Sequence, residues 1–292
     1  MAKDSALTDF VEYEGQEMAY SVYGKGPRVV VLTHGILLNK EMFRPLAQKL
    51  AERGNRVVAV DMVGHGQSDA DSRQVSVPFY GRAVLHLMNE LGIKEAVLGG
   101  TSLGGNVTLE VAVEAPERVR GIVVEMPALE NAILGGAAFF GPLLGGARLA
   151  APFARIGMYG IRMIPRGVTP YASEIVLDVM RRDPKSTAGV IEGVFFNRLA
   201  PSSEQRRKIE APALVLGHRF DPIHPFKDAL NLAEELPNSR FVEARGPLEL
   251  RLTPKRLTLE IAAFLEECWK PRVVKSKSGG AAARRRGSKT AL

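Results

Sequence analysis

The 292-residue chain has a single cysteine, Cys268. A lone thiol excludes an internal disulfide framework and any cysteine-rich zinc site, so packing alone must hold the fold. Long apolar runs are missing too. The best candidate, NAILGGAAFFGPLLGGA at 131–147, is interrupted by Pro142 and repeated glycines and is shorter than the roughly 20 apolar residues a membrane-spanning helix requires. The opening stretch, MAKDSALTDFVEYEG, carries acidic residues where a secretory signal would be apolar, so no export and a cytoplasmic location are expected. Acidic residues are absent from 271–292, which holds seven Lys or Arg, while the rest of the chain carries 32 residues of each sign. The formal charge of +7 therefore belongs to the tail. With few large apolar residues, 271–292 is expected to be a disordered basic appendage; weak, salt-dependent contact with nucleic acid or anionic lipid is the lesser reading. No metal or organic cofactor is implied.

What is present is enough apolar content, 46%, for one large core. Val- and Ile-rich runs recur at 28–35, 56–61, 94–100, 119–126 and 211–217, with a weaker run at 240–244. Amphipathic stretches of three to four turns separate them, at 40–53, 77–91, 103–114, 225–236 and 253–267. This alternation predicts an α/β fold, a mostly parallel eight-stranded sheet flanked by helices, begun by an antiparallel hairpin from FVEYEG and MAYSVYG. The alternation stops between 127 and 207, where no strand pattern occurs. That interval reads as an inserted helical cap with an apolar inner wall, leaving 1–126 and 208–270 as the core.

One motif within this frame carries chemistry. GGTSLGG at 99–105 contains GxSxG, follows the run KEAVLGG and precedes a helical pattern. Strand, sharp turn and helix together are the setting in which a serine hydroxyl is exposed as a nucleophile. The glycines allow backbone to approach backbone where a Cβ would clash, and the helix N-terminus directs N–H groups at developing negative charge. Ser102 is the candidate nucleophile. The loop LTHGILL at 32–38 offers a second N–H, so the amides of Ile36 and Leu103 are the candidate oxyanion donors. His34 is read as a structural histidine of that loop.

The chain resembles the α/β-hydrolase fold superfamily. The resemblance rests on THG at 33–35, DMVGHGQSD at 61–69, GGTSLGG at 99–105 and the turn GHRFDPIHP at 217–225. It implies that Asp221 is the acid that orients a histidine base, that His65 is structural, and that Glu125, at the end of its strand, is the runner-up acid. The family's base is a histidine in the loop after the last strand. Aligned on Pro254 and Arg256, the run GPLELRLTPKRL places Pro247 there, and no histidine follows His224.

Three readings stay open. His224, three residues after Asp221, is a displaced base; or the chain is a non-catalytic binder of an apolar small molecule or protein; or the pocket runs another reaction without a serine–histidine relay. The reading adopted is a serine-dependent hydrolase of an apolar ester or related acyl compound, with Ser102, Asp221 and His224 as its catalytic set.

Overall fold

The computed structural model describes residues 7–70, 75–149, 159–165 and 169–271. Almost all of the basic segment considered above, 272–292, lies outside them. Eight strands form one sheet: β1 (Thr8–Tyr13), β2 (Gln16–Tyr23), β3 (Arg28–Thr33), β4 (Asn55–Val60), β5 (Ala96–Thr101), β6 (Val119–Glu125), β7 (Ala213–Gly217) and β8 (Ser239–Glu243). Their spatial order is β1-β2-β4-β3-β5-β6-β7-β8. Antiparallel pairs join β1 to β2 and β2 to β4, and every other pair is parallel. The hairpin turns at Glu14 and Gly15, both at positive φ (50° and 75°), the backbone a tight two-residue hairpin requires.

The central strands are apolar on both faces because helices cover both. Along β3, Val31 joins one cluster while Val30 and Leu32 join the other. The first cluster includes α2 (Val77–Glu90), α3 (Leu103–Glu114) and α8 (Phe226–Glu235); the second includes α1 (Arg44–Ala51) and α10 (Lys255–Cys268). Each fully buried Val or Leu contributes about 1.5–3 kcal/mol, so this double face is the main stabilising term.

Between β6 and β7 the described residues form α4 (Ala132–Leu149), α5 (Tyr171–Met180), α6 (Pro184–Phe195) and the short α7 (Ser203–Arg206), with no strand among them. Two devices tie this excursion to the sheet's helices. The Asn106 amide on α3 donates to the carbonyls of Ala128 (2.7 Å) and Leu199 (2.9 Å), one near each end of the excursion. The wholly buried Asp228 on α8 accepts the backbone N–H groups of Leu129, Asn131 and Ala132, so a carboxylate sits where the α4 N-terminus leaves donors unpaired. Ala132 and Phe140 face inward along α4, whereas Leu134 and Phe139 are exposed. No described helix is long and apolar enough to cross a membrane.

Candidate active site

Strand β5, AVLGGT, is buried at every position and ends directly at Ser102. Ser102 has φ 54° and ψ −115°, a left-handed conformation that costs a non-glycine residue about 1–3 kcal/mol. The surroundings enforce it. The Ser102 N–H donates to the Glu125 carbonyl at 2.8 Å, and its own carbonyl accepts the Asn106 N–H at 3.0 Å. A Cβ on Gly100 would lie 2.1 Å from the Gly104 carbonyl, and one on Gly104 would lie 2.0 Å from the Thr33 carbonyl oxygen. Only glycine lets β5, β3 and the start of α3 converge so closely.

The Ser102 hydroxyl lies 2.7 Å from His224 Nε2, and His224 Nδ1 lies 2.9 Å from Asp221 Oδ2. A proton on Nδ1, donated to the carboxylate, leaves Nε2 to accept from the serine. The turn after β7 therefore supplies both carboxylate and imidazole. Its shape comes from Asp221 itself, whose Oδ1 accepts the N–H groups of Ile223 (2.8 Å) and His224 (3.0 Å). These two bonds fold 221–224 back so that the His224 ring meets the other carboxylate oxygen. Burial would raise the Asp221 pKa, but the bonds from His218 and His224 outweigh it and hold the group well below the usual carboxylate range.

The other histidines near the elbow are otherwise engaged. His34 is fully buried; its Nδ1 donates to the Gly35 carbonyl (2.8 Å) and its Nε2 accepts the Met62 N–H (3.0 Å). Burial pushes its pKa down to about 4. His65 packs against it with ring centroids 4.7 Å apart, and its Nδ1 contacts the Val63 carbonyl at 3.1 Å. Glu125, the runner-up acid, is committed elsewhere: Arg251 reaches it at 2.6 Å and also donates to the Thr101 hydroxyl at 2.9 Å. Pro247 is exposed, in the turn that opens the short α9 (Glu249–Leu252).

Ile36 and Leu103 line the same cavity as Ser102 and His224, and Leu103 opens α3, whose first N–H groups have no partner within the helix. The remaining wall is apolar and includes Ala132, Gly136, Phe140 and Phe195. The free volume is only about 20 Å³, roughly one water molecule. The apolar inner wall agrees with the sequence reading; so small a free volume is not legible in the sequence. It arises because Gly136 lets Phe195 of α6 pack directly against α4, where a Cβ would come within 2.7 Å of that ring. Among the described residues, no three His, Cys, Asp or Glu side chains are grouped so as to hold a metal ion.

Three polar residues that shape the site escaped sequence reasoning. His218 contacts Asp221 Oδ2 at 3.2 Å, a contact whose only sequence trace is the spacing His-x-x-Asp-x-x-His at 218–224. Arg251 and Asp228 act across long sequence separations and leave no local trace.

A strand-to-helix serine on a mostly parallel eight-stranded sheet defines the class of architecture, and comparison with known proteins gives the family. A family profile described as the alpha/beta hydrolase fold matches residues 28–247. The chain belongs to the α/β-hydrolase fold family. Among solved structures, a hydrolase from Pseudomonas aeruginosa PA01 superposes with a TM-score of 0.74 at 22% identity, covering 90% of this chain and 99% of that one. The enol-lactonase from Burkholderia xenovorans LB400 gives 0.71 at 22%, covering 88% and 100%. A curated relative, an uncharacterized protein of Mycobacterium bovis, is 34% identical over 115 residues, 39% of this chain and 33% of that protein. The match thus spans about a third of the relative's length.

Proposed function

We propose that this protein is a serine-dependent hydrolase of an apolar ester or related acyl compound, with His224 as a displaced base. The observation that carries the reading is the 2.7 Å contact between Ser102 Oγ and His224 Nε2, backed by the 2.9 Å contact from His224 Nδ1 to Asp221. The names of the two structural neighbours, a hydrolase and an enol-lactonase, are consistent with it.

In this reading His224 Nε2 takes the hydroxyl proton as Ser102 Oγ attacks the acyl carbon. The Ile36 and Leu103 N–H groups hold the resulting oxyanion, each worth about 3–4 kcal/mol at the transition state. Asp221 keeps Nδ1–H oriented and stabilises the imidazolium, and Nε2–H then protonates the departing alkoxide. Water, activated by the same ring, releases the acid from the acyl-serine. Residues 127–207 act as the cap over a core of 1–126 and 208–270, and its helices α4 and α6 must part to admit an acyl chain.

A serine-directed fluorophosphonate tests this. Stoichiometric labelling of the wild type that disappears in Ser102→Ala is the expected result, with turnover of short-chain nitrophenyl esters. The narrow apolar cavity also suits one competing reading, an inert protein that binds an apolar small molecule. A folded protein that neither labels nor turns over any ester establishes that competitor instead. Phe140→Ala, which removes the ring filling the cavity wall, is expected to raise kcat/KM for longer acyl chains by about tenfold relative to acetate, because each added methylene that finds room contributes about 0.8 kcal/mol.

A further inference from the structure

We infer that His218 is a positioning residue of the relay: a second imidazole on the Asp221 oxygen that serves His224, fixing that carboxylate and sharing its negative charge. The inference rests on the hydrolase reading for its consequence and on geometry for its substance. Asp221 Oδ1 is taken by two backbone N–H groups, while Oδ2 receives His224 Nδ1 at 2.9 Å and His218 Nε2 at 3.2 Å.

His218 is surrounded by acceptors. Its Nδ1 faces the Arg219 carbonyl at 3.1 Å, and its Nε2 faces Asp221 and, at 3.0 Å, the Met126 sulfur. A neutral ring has one N–H and one lone pair, so one nitrogen would meet an acceptor without a proton to offer. The imidazolium satisfies both. Burial opposes the charge, but Asp221, the Arg219 carbonyl and the more distant Glu125 outweigh it, and the His218 pKa is raised. The other charged groups nearby are committed: the Arg219 guanidinium pairs with Glu243, and Glu125 with Arg251.

A relay drawn from one turn needs such a device. Acid and base sit three residues apart and could drift together away from Ser102. His218, next to the last residue of β7 and in contact with Met126 beyond β6, pins the carboxylate to the sheet edge. A positive ring on Asp221 also leaves less negative charge facing His224.

The test is an NMR titration of the His218 imidazole in the wild type, run beside the pH profile of ester kcat/KM in wild type, His218→Gln and His218→Leu. Glutamine keeps an N–H for Asp221 but not the charge. In the Gln variant the acid limb of kcat/KM is expected to move to higher pH while kcat falls less than tenfold. The Leu variant, which offers no donor, should lose tenfold or more in kcat. An acid limb at the same pH in wild type and Gln variant, or wild-type His218 titrating below 6.5, overturns the inference. The wild-type titration suffices for this second outcome if a variant does not fold. Wild-type His218 titrating above 6.5 in a protein whose Ser102 never labels would keep the inference and refute the hydrolase reading.

Discussion

Two turns at the same edge of the sheet have opposite designs. The turn after β7, 217–225, gathers two imidazoles around one carboxylate and brings one of them to Ser102. The turn after β8, 244–254, is where the family resemblance leads one to seek the base, yet it sends Arg251 beneath the elbow to Glu125 and Thr101. One turn approaches the serine hydroxyl; the other braces the backbone that presents it. Arg251 and Glu125 are both buried, and Glu249 is held by Arg256 and by the Arg245 N–H, so this second turn is a closed set of ion pairs. Under the proposed hydrolase reading, the acid turn supplies the base by folding back on itself, and the loop after β8 supports the nucleophile instead.

The comparison can be broken most severely at His224. His224→Gln should lower kcat/KM for an activated ester by about 10⁴-fold or more, leaving the residue that oxyanion donors and binding supply. Arg251→Met comes next. It leaves Glu125 as an unpaired buried charge and should cost about 3–5 kcal/mol in urea unfolding, whereas Arg251→Met with Glu125→Gln should recover much of that loss. Pro247→His in the His224→Gln background should restore activity by no more than about tenfold, a loss of 1.4 kcal/mol or less being all that an exposed turn position can offset. A full restoration would mean that the second turn is still built to carry a base.

The smallest effect is in pH dependence. The His218 pKa is raised on folding, so its stabilising contribution is fully present below about 6.5 and is lost as pH rises through its higher folded value. Asp221 is shifted the other way; its contribution is present above 3.8 and is lost as pH falls through its depressed folded value. Unfolding free energy measured from pH 6 upward should therefore decline in wild type, and the decline should flatten in His218→Gln.

The fold was legible because its signal is local and repeated. Runs such as RVVVLT and ALVLG are apolar at successive positions, as strands covered on both faces must be, and the glycines of GGTSLGG mark the one place where β5 must meet α3 without a Cβ. Asp221 could be named because the turn that holds it resembles the family's acid turn, and His224 because it lies three residues further on. What spacing cannot convey is where that turn points; the His224 ring reaches Ser102 only because Asp221 Oδ1 captures two backbone amides. The Arg251–Glu125 pair joins residues 126 positions apart, and the Asp228 cap on α4 spans nearly as far. Such contacts exist only after the sheet has formed. Cavity size was equally hidden, since it depends on Phe195 fitting against Gly136 and not on the apolar character that both segments display.

In the proposed reaction the imidazole at position 224 serves the alcohol at position 102. A crystal structure of the fluorophosphonate adduct examines it most directly. The expected result is a phosphoryl oxygen about 3 Å from the Ile36 and Leu103 nitrogens, with His224 Nε2 about 3.2 Å or less from Ser102 Oγ. An adduct in which His224 has turned away, with another side chain or none beside the phosphonylated serine, would contradict it.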